Sequence, residues 1–589
     1  MNMKDLASRT LNFPYDFPIT EIEAEGVYVK YGPTGAVVGG CSKPALARAY
    51  MLLAKGISEG KTSFEITEKA HFEECGVMLD MSFGSVMKVS GVKEYLDYMA
   101  LHGMNMVMLY TEDTYEVEGY PHMGYQRGRY TLAELQEIDD YADSLGIEVI
   151  PCIQTLGHMS KFLRYSVNSK IAENDAVLLP GEEATYQFIE ACISTVRKAF
   201  RSKRIHIGCD ETRGLGFGQY FKKHGFRDRF EIYNEHVAKV VEICTKYDFH
   251  PMMWSDMYFS MAAPVGAGDY GMDIEVPQYV IDTMPDSDMV FWDYYHDNNE
   301  FYGVNIEKHK KFGHKIWFAG GIWTWVGHEP NIRYTYETVK PAMEECLKGG
   351  VTSVFGTSWA YGDTSHFLAL PCLAMYSEYC WRGLACTKED IYDTAAFVTG
   401  VPYELTEAIS AFHCGFSNAR NYGKMILWSD PLINMLCYDM NFALAEKCYA
   451  DALETFEKYP NAPYIQYHKA IFKAALHKAR VHQTLRTKYK ENDREWLAAF
   501  AKETIPEMVK DFEAAYALSD ELWHKYFKTQ GFEKLAVHYA GAIERIRYAG
   551  RMIDRYLAGE IDEIEALEPE VLRGEAQGWL GAERVMYTY

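Results

Sequence analysis

Apolar and polar positions follow two different rhythms along this chain. From about residue 76 to 382, short apolar runs alternate with amphipathic stretches, a βα rhythm that implies a parallel sheet. Eight such units are readable, with strands expected at 76–81, 104–110, 148–154, 204–209, 250–254, 289–292, 315–319 and 353–357. Helical patterns lie between them, as over 132–144 and 234–246. Eight strands within about 300 residues fit a (β/α)8 barrel, and a doubly wound sheet is the alternative.

The flanking sequence reads differently. Gly26-Val27-Tyr28-Val29-Lys30-Tyr31 alternates like a strand, Pro33-Thr34-Gly35 marks a turn, and 43–53 reads as a helix. Residues 1–70 are therefore expected to form a small α/β domain and 71–384 the barrel. After residue 385 long helical periods take over at 441–459, 463–488, 495–522 and 532–557. Thr387-Lys388-Glu389-Asp390 and Ser429-Asp430-Pro431 look like helix starts, and Pro463 suits a first helical position. Residues 385–589 are expected to be an α-helical domain, with Trp428 and Trp579 as candidates to close one side of a site. A homodimer contact is the other role open to it.

Composition narrows the partners. Acids outnumber bases by 83 to 59, and the resulting charge of −24 argues against nucleic acid or an anionic membrane surface. Aromatics reach 14%, including 44 Tyr and 11 Trp, a surplus that serves either core packing or stacking on the apolar faces of sugar rings. Met1-Asn2-Met3-Lys4-Asp5-Leu6 opens no apolar h-region, and no segment offers 18 uncharged apolar residues, so a soluble, cytoplasmic protein is expected. The 13 cysteines lie in largely apolar contexts such as Ala191-Cys192-Ile193 and form no CxxC, which reads as reduced, buried thiols.

The expected strands end in a consistent set of side chains. Arg204-Ile205-His206-Ile207-Gly208-Cys209-Asp210-Glu211 ends in two adjacent carboxylates, at the carboxyl end where barrels carry their chemistry. Other ends contribute Thr111-Glu112-Asp113, Gln154-Thr155-Leu156-Gly157-His158, Trp254-Ser255-Asp256, Trp292-Asp293-Tyr294-Tyr295, Trp323-Thr324-Trp325 and Trp359-Ala360-Tyr361-Gly362-Asp363. Any single Trp after a strand is more often packing than site. Their recurrence beside a carboxylate pair is what points to chemistry.

These residues carry a family resemblance. His206-x-Gly208-x-Asp210-Glu211 resembles the H-x-G-G-D-E signature of glycoside hydrolase family 20, the β-N-acetylhexosaminidases, with Cys209 in place of the second glycine. Gly76-Val77-Met78-Leu79-Asp80 is similar to that family's first barrel strand, Met104-Asn105-Met106 to its second, and Leu156-Gly157-His158 to its P-G-H turn. The resemblance spans about residues 72 to 370, and the helical tail is like that of a divergent bacterial branch.

The resemblance implies an exo-acting, retaining β-N-acetylhexosaminidase acting on terminal GlcNAc or GalNAc of an oligosaccharide or glycoconjugate, without metal or other cofactor. The substrate's own acetamido oxygen would attack the anomeric carbon, with Glu211 as general acid, kept protonated by burial and by the charge of Asp210. Asp210 would hold the acetamido N–H. His158 matches the family's histidine beside the acid, and Asp113 lies where the family has the carboxylate that orients it. Trp254, Trp292 and Trp359 match the pocket around the acetamido methyl. Trp323-Thr324-Trp325 stands where the family has a Tyr that holds the acetamido oxygen, which leaves Tyr294 as a substitute donor and Trp325 as a lining residue. The family's Arg for the 3- and 4-hydroxyls is missing near Phe72-Glu73-Glu74-Cys75, so Glu74 is expected to take its place, with Tyr361 and Asp363 on the 4- or 6-hydroxyl. His206, inside its strand, reads as structural. The alternatives are a metal-assisted barrel hydrolase using His158, Asp210 and Glu211, and an inactive barrel that only binds amino sugars.

Overall fold

The structure, a computed structural model, describes residues 1–264, 270–361, 363–414, 422–433 and 441–570. It divides into two compact units. The first comprises Met1–Ile322, Thr335–Trp359 and Cys372–Val398, and the second Trp323–Tyr334, Ala360–Pro371 and Thr399–Tyr589.

The first unit opens with a four-stranded sheet, β1 (Ile19–Glu23), β2 (Val27–Gly32), β3 (Gly35–Gly40) and β4 (Phe64–Glu68), in the order β1-β3-β2-β4. Val27, Val29, Ala36 and Val38 are buried while Tyr28, Lys30 and Val37 between them are not, the period-two pattern of a half-covered sheet. The covering helix, Lys43–Ser58, is capped by Ser42, whose hydroxyl accepts from the Ala45 amide, and Pro44 sits in its first turn.

Eight further strands close a parallel barrel: β5 (Glu74–Asp80), β6 (Met106–Tyr110), β7 (Glu148–Cys152), β8 (Arg204–His206), β9 (His250–Trp254), β10 (Asp288–Trp292), β11 (Ile316–Gly321) and β12 (Ser353–Ser358). All eight expected strands are present, most within two residues of their expected bounds. The exception is β8, which stops at His206 and not at Cys209. Alternate residues fill the interior: Met78, Met106, Met108, Tyr110, Ile150, Cys152, Met252, Trp254, Val290, Trp317, Ala319 and Phe355, with Trp292 and Trp359 packed against them. His206 completes this layer with its ring 4.5 Å from that of Trp254 and takes a hydrogen bond from the Gly208 amide. Burial lowers its pKa to about 3, so it is neutral and structural.

Charges close the amino-terminal end. Arg204 pairs with Glu74 at 2.7 Å and with Glu148, Lys315 reaches Glu74 at 3.0 Å, and Ser353 donates to Glu74. Both cations lie 5.1 Å from the centre of the Trp317 ring. Burial alone would raise the pKa of Glu74, but the bonds from Ser353, Lys315 and Arg204 outweigh it and hold the carboxyl below its usual range.

In the second unit the long helices Phe442–Lys458, Ile465–Lys490 and Phe532–Ala558 match the expected periods within two residues. The expected 495–522 is divided into Arg494–Ala499, a π-helical turn at Phe500–Thr504 and Ile505–Tyr526, and Pro463 lies two residues before its helix instead of at the first helical position. Ser429-Asp430-Pro431 begins no helix; it follows Tyr422–Trp428, and the Asp430 carboxylate accepts the amides of Leu432 and Ile433 while pairing with Arg545. Trp428 is buried beside His328, His538 and Tyr539, so it presents no ring to a ligand. Trp579 lies outside the described residues. No helix among the described residues is long and apolar enough to cross a membrane.

One buried ion cluster ties the helix Lys43–Ser58 to the helix Leu373–Arg382. Arg48, fully buried on Lys43–Ser58, bonds Glu68 at 2.6 Å and Glu378 of Leu373–Arg382 at 2.8 Å. Arg48→Met would leave two buried carboxylates with only the half-buried Arg382, 2.7 Å from Glu378 and 3.6 Å from Glu68, and is expected to lower stability by roughly 3 kcal/mol. Urea unfolding read by tryptophan fluorescence checks this, and a loss near zero would contradict it.

Candidate active site

The site begins where β8 ends. After His206 the backbone leaves extended geometry, with Gly208 at φ +71°, Cys209 at φ +71° and Glu211 at φ +46°. Gly208 is required here because a Cβ would fall 2.0 Å from Gln154 Oε1. Gly157 faces the same turn, and a Cβ on it would fall 2.4 Å from the Asp210 carbonyl. A left-handed residue at position 209 is the physical reason glycine suits that place. Cys209 holds the conformation at a cost of about 1–2 kcal/mol, offset by its contacts. Its amide donates to Gln154 Oε1 at 3.3 Å, its carbonyl accepts from Tyr233 at 2.8 Å, and its sulfur meets Thr155 Oγ1 at 3.2 Å.

This turn sends the two adjacent carboxylates into different surroundings. Asp210 is nearly buried, its Oδ2 2.9 Å from His158 Nε2 and its Oδ1 accepting from Gln154 Nε2 at 2.8 Å. Gln154 also donates to Tyr110 at 3.0 Å. Glu211 is not buried as expected: its side chain is 37% exposed, 3.8 Å from His158 Nε2 and 3.8 Å from Arg213. Its backbone amide donates to Asp256 Oδ2 at 3.1 Å.

His158 is the cation of this group. Burial would lower its pKa, but Asp210 first, and then Glu112 and Glu211, raise it to about 10. In return His158 and Gln154 hold Asp210 below the usual carboxylate range against the opposing effect of burial. The carboxyl facing His158 Nδ1 is Glu112, at 3.7 Å, and not Asp113. Asp113 points instead to Arg127, 2.9 Å away, because consecutive residues leaving β6 project to opposite sides. Burial pushes Glu112 up to about 8, with Asp80 and Asp113 adding to the shift and His158 opposing it.

The aromatic residues divide likewise. Trp359 packs perpendicular to Tyr110 at 4.6 Å and near Phe83, and Trp292 stacks on Tyr294 at 5.2 Å. Both Trp are partly exposed, whereas Trp254 is sealed in the barrel interior behind them. The Tyr294 hydroxyl is buried and bonded to Thr357 and Trp359.

Glu74 is corrected by the structure. It opens β5 and belongs to the charged amino-terminal end, opposite the end where Asp210 and Glu211 emerge, so it cannot hold hydroxyls beside them. Trp325, Tyr361 and Asp363 belong to the second unit. There Trp325 is buried against Trp323 at 4.2 Å, Lys534 reaches the Tyr361 carbonyl, and Asp363 is buried and paired with Lys424. Glu112, Gln154 and Asp256 fall in the strand-end segments named above without a role of their own there, and Tyr110, the last residue of β6, is the site residue outside them. Among the described residues no three His, Cys, Asp or Glu side chains gather as metal ligands would.

Comparison with known proteins gives a consistent result. Residues 72–269 match the model of the glycosyl hydrolase family 20 catalytic domain, and 407–583 match the Glycoside Hydrolase 20C C-terminal domain. Over 258 residues the chain is 27% identical to hexosaminidase D of Bos taurus, covering 42% of this chain and 70% of that protein. The human hexosaminidase D is 26% identical over 257 residues, covering 42% of this chain but only 50% of its own length. The fold is similar to that of a Flavobacterium johnsoniae chitobiase, with TM-score 0.51 and 14% identity over 88% of this chain and 94% of that one. It is also similar to a Streptomyces plicatus beta-hexosaminidase, with TM-score 0.52 and 17% identity over 69% of this chain and 89% of that one.

The ion pair carries a pH signature. A histidine raised from 6.5 to about 10 contributes fully below pH 6.5 and is lost as pH rises through 10. Asp210, whose pKa is lowered, contributes above its unfolded value of 3.8 and is lost on acidification below that. His158→Gln is therefore expected to destabilise most between pH 4 and 6.5, with the gap to the wild type narrowing toward pH 10. Urea midpoints at pH 5, 7 and 9.5 test this, and a gap that widens with pH would contradict it.

Proposed function

From the membership of this chain in glycoside hydrolase family 20, we propose that it is an exo-acting β-N-acetylhexosaminidase that works by substrate-assisted catalysis. The observation that carries the reading is the division of labour between adjacent carboxylates. Asp210 is buried, ionised and bound to an imidazolium, while Glu211 stands open at the mouth. Two groups in contrasting environments are what separate roles in one reaction require. Most retaining glycosidases set two carboxyl groups on either side of the scissile bond, one as nucleophile, and family 20 is an exception. Side chains that leave one strand end on consecutive residues fit the exception.

In this mechanism the acetamido carbonyl oxygen of the terminal sugar attacks the anomeric carbon. The bond to the leaving oxygen breaks as Glu211 delivers its proton there. Asp210 accepts the acetamido N–H and stabilises the positive charge of the oxazolinium that forms. His158 and Gln154 hold Asp210 in place and ionised. Glu211 then takes a proton from water as it attacks the same carbon, and the β configuration is retained. Trp292 and Trp359 offer aromatic faces for the acetamido methyl. The partner is an oligosaccharide or glycoconjugate ending in N-acetylhexosamine.

Hydrolysis of aryl β-GlcNAc, β-GalNAc and β-glucoside substrates tests the reading, since only the first two carry the attacking group. Glu211→Gln is expected to lower kcat about 10²–10⁴-fold with binding retained. Equal turnover of the glucoside, or an unaffected variant, would overturn the assignment. A metal-assisted hydrolase would instead lose activity on chelation.

A further inference from the structure

Two cysteines of the helical unit stand apart from the buried thiols. Cys414 follows the short turn Ala411–His413, and Cys448 lies in the second turn of Phe442–Lys458. Cys414 Sγ is 3.9 Å from the Leu444 carbonyl, the acceptor one helical turn before Cys448, so the two thiols are neighbours. Both side chains are only partly buried. The neighbouring Cys414 thiol, aided by Lys447 and Arg333 and opposed by burial, lowers Cys448 to about 7, while Cys414 is pushed up. One thiol is therefore ionised near neutral pH beside a protonated partner, the arrangement of an attacking and a resolving cysteine.

The barrel contains the same geometry without the access. Cys75 Sγ lies 3.8 Å from the Tyr376 carbonyl, four residues before Cys380, so the two thiols are neighbours, but both are buried, and Cys380 together with burial raises Cys75. This pair serves as an internal control for reactivity.

We propose that Cys414 and Cys448 are a modification site at which a peroxide forms an intramolecular disulfide. The Cys448 thiolate attacks one peroxide oxygen, the O–O bond breaks, and the departing hydroxide takes a proton to become water, leaving a sulfenic acid. The Cys414 sulfur then attacks the Cys448 sulfur, the S–O bond breaks, and a second water leaves with the Cys414 proton. Two thiols are oxidised and one peroxide is reduced to two waters.

The test uses the reduced full-length chain treated with hydrogen peroxide, then non-reducing peptide mapping and intact mass. The expected result is a linked peptide containing Cys414 and Cys448, a mass lower by about 2 Da, and Cys75 and Cys380 still reduced. Cys414→Ser is expected to leave Cys448 as a sulfenic acid that dimedone traps. An unchanged thiol count, a link from Cys448 to Cys437, or oxidation of Cys448 to sulfinic acid without a link would each overturn the proposal. If the variant fails to fold, the wild-type peptide map decides alone.

Discussion

A carboxylate taken out of water at the end of an apolar strand is costly by several kcal/mol unless charge and hydrogen bonds replace its hydration. Asp210 meets that requirement with His158 on one oxygen and Gln154 on the other. Much of the surrounding mouth follows from it. Gln154 can reach Asp210 and the Cys209 amide only because Gly208 has no side chain. His158 can approach only because Gly157 lets its turn lie against the Asp210 carbonyl, and His158 itself adopts φ +55° to do so. The strain concentrated in these few residues is held by the barrel wall behind them, including Tyr233 on the helix Arg229–Lys246 and Thr155.

The barrel assigns its two ends different tasks. At the amino-terminal end, Glu74, Arg204, Glu148 and Lys315 neutralise one another and close the interior. At the carboxyl end Asp210, Glu112 and Glu211 face the imidazolium of His158, while Asp113 is paired with Arg127. Those carboxyls, Asp210 first, hold His158 in its charged form, and burial, with a smaller part from Asp80 and Asp113, makes Glu112 tend to keep its proton. Methionines and Trp254 between the two ends exclude water, so the charges at the mouth act in a low-dielectric setting.

The helical unit uses buried charge for a different purpose. Glu329 bonds His468 at 2.7 Å, Asp363 pairs with Lys424, and Tyr467 donates to the His328 carbonyl, linking the segments that follow β11 and β12 to the long helices of this unit. Asp363 thus has a structural partner within its own unit.

Much of this protein was legible from the chain alone, for physical reasons that are local. Period-two and period-3.6 patterns mark the eight strands and the long helices because each element must bury one face, and a strand ending in adjacent acids marks the reacting end. What pattern could not resolve is anything that depends on which direction a side chain takes once the regular backbone stops. Asp113 and Glu112 are neighbours in sequence, and only the turn after β6 gives one to Arg127 and the other to His158. Glu74 reads as a plausible sugar ligand until barrel closure places it at the far end, beside three cationic or hydroxyl partners from β8, β11 and β12. Trp254, Trp292 and Trp359 look equivalent as strand-end residues, and their depth in the barrel separates them. The sequence by itself determined the fold class and put the acid pair and His158 at strand ends, because these rest on residue type and period, whereas the nearness of His158 to the acids came from the family resemblance. The tertiary structure alone decided which carboxyl is buried and ionised and which is open, because that depends on long-range partners and on a left-handed turn whose angles no residue pattern specifies.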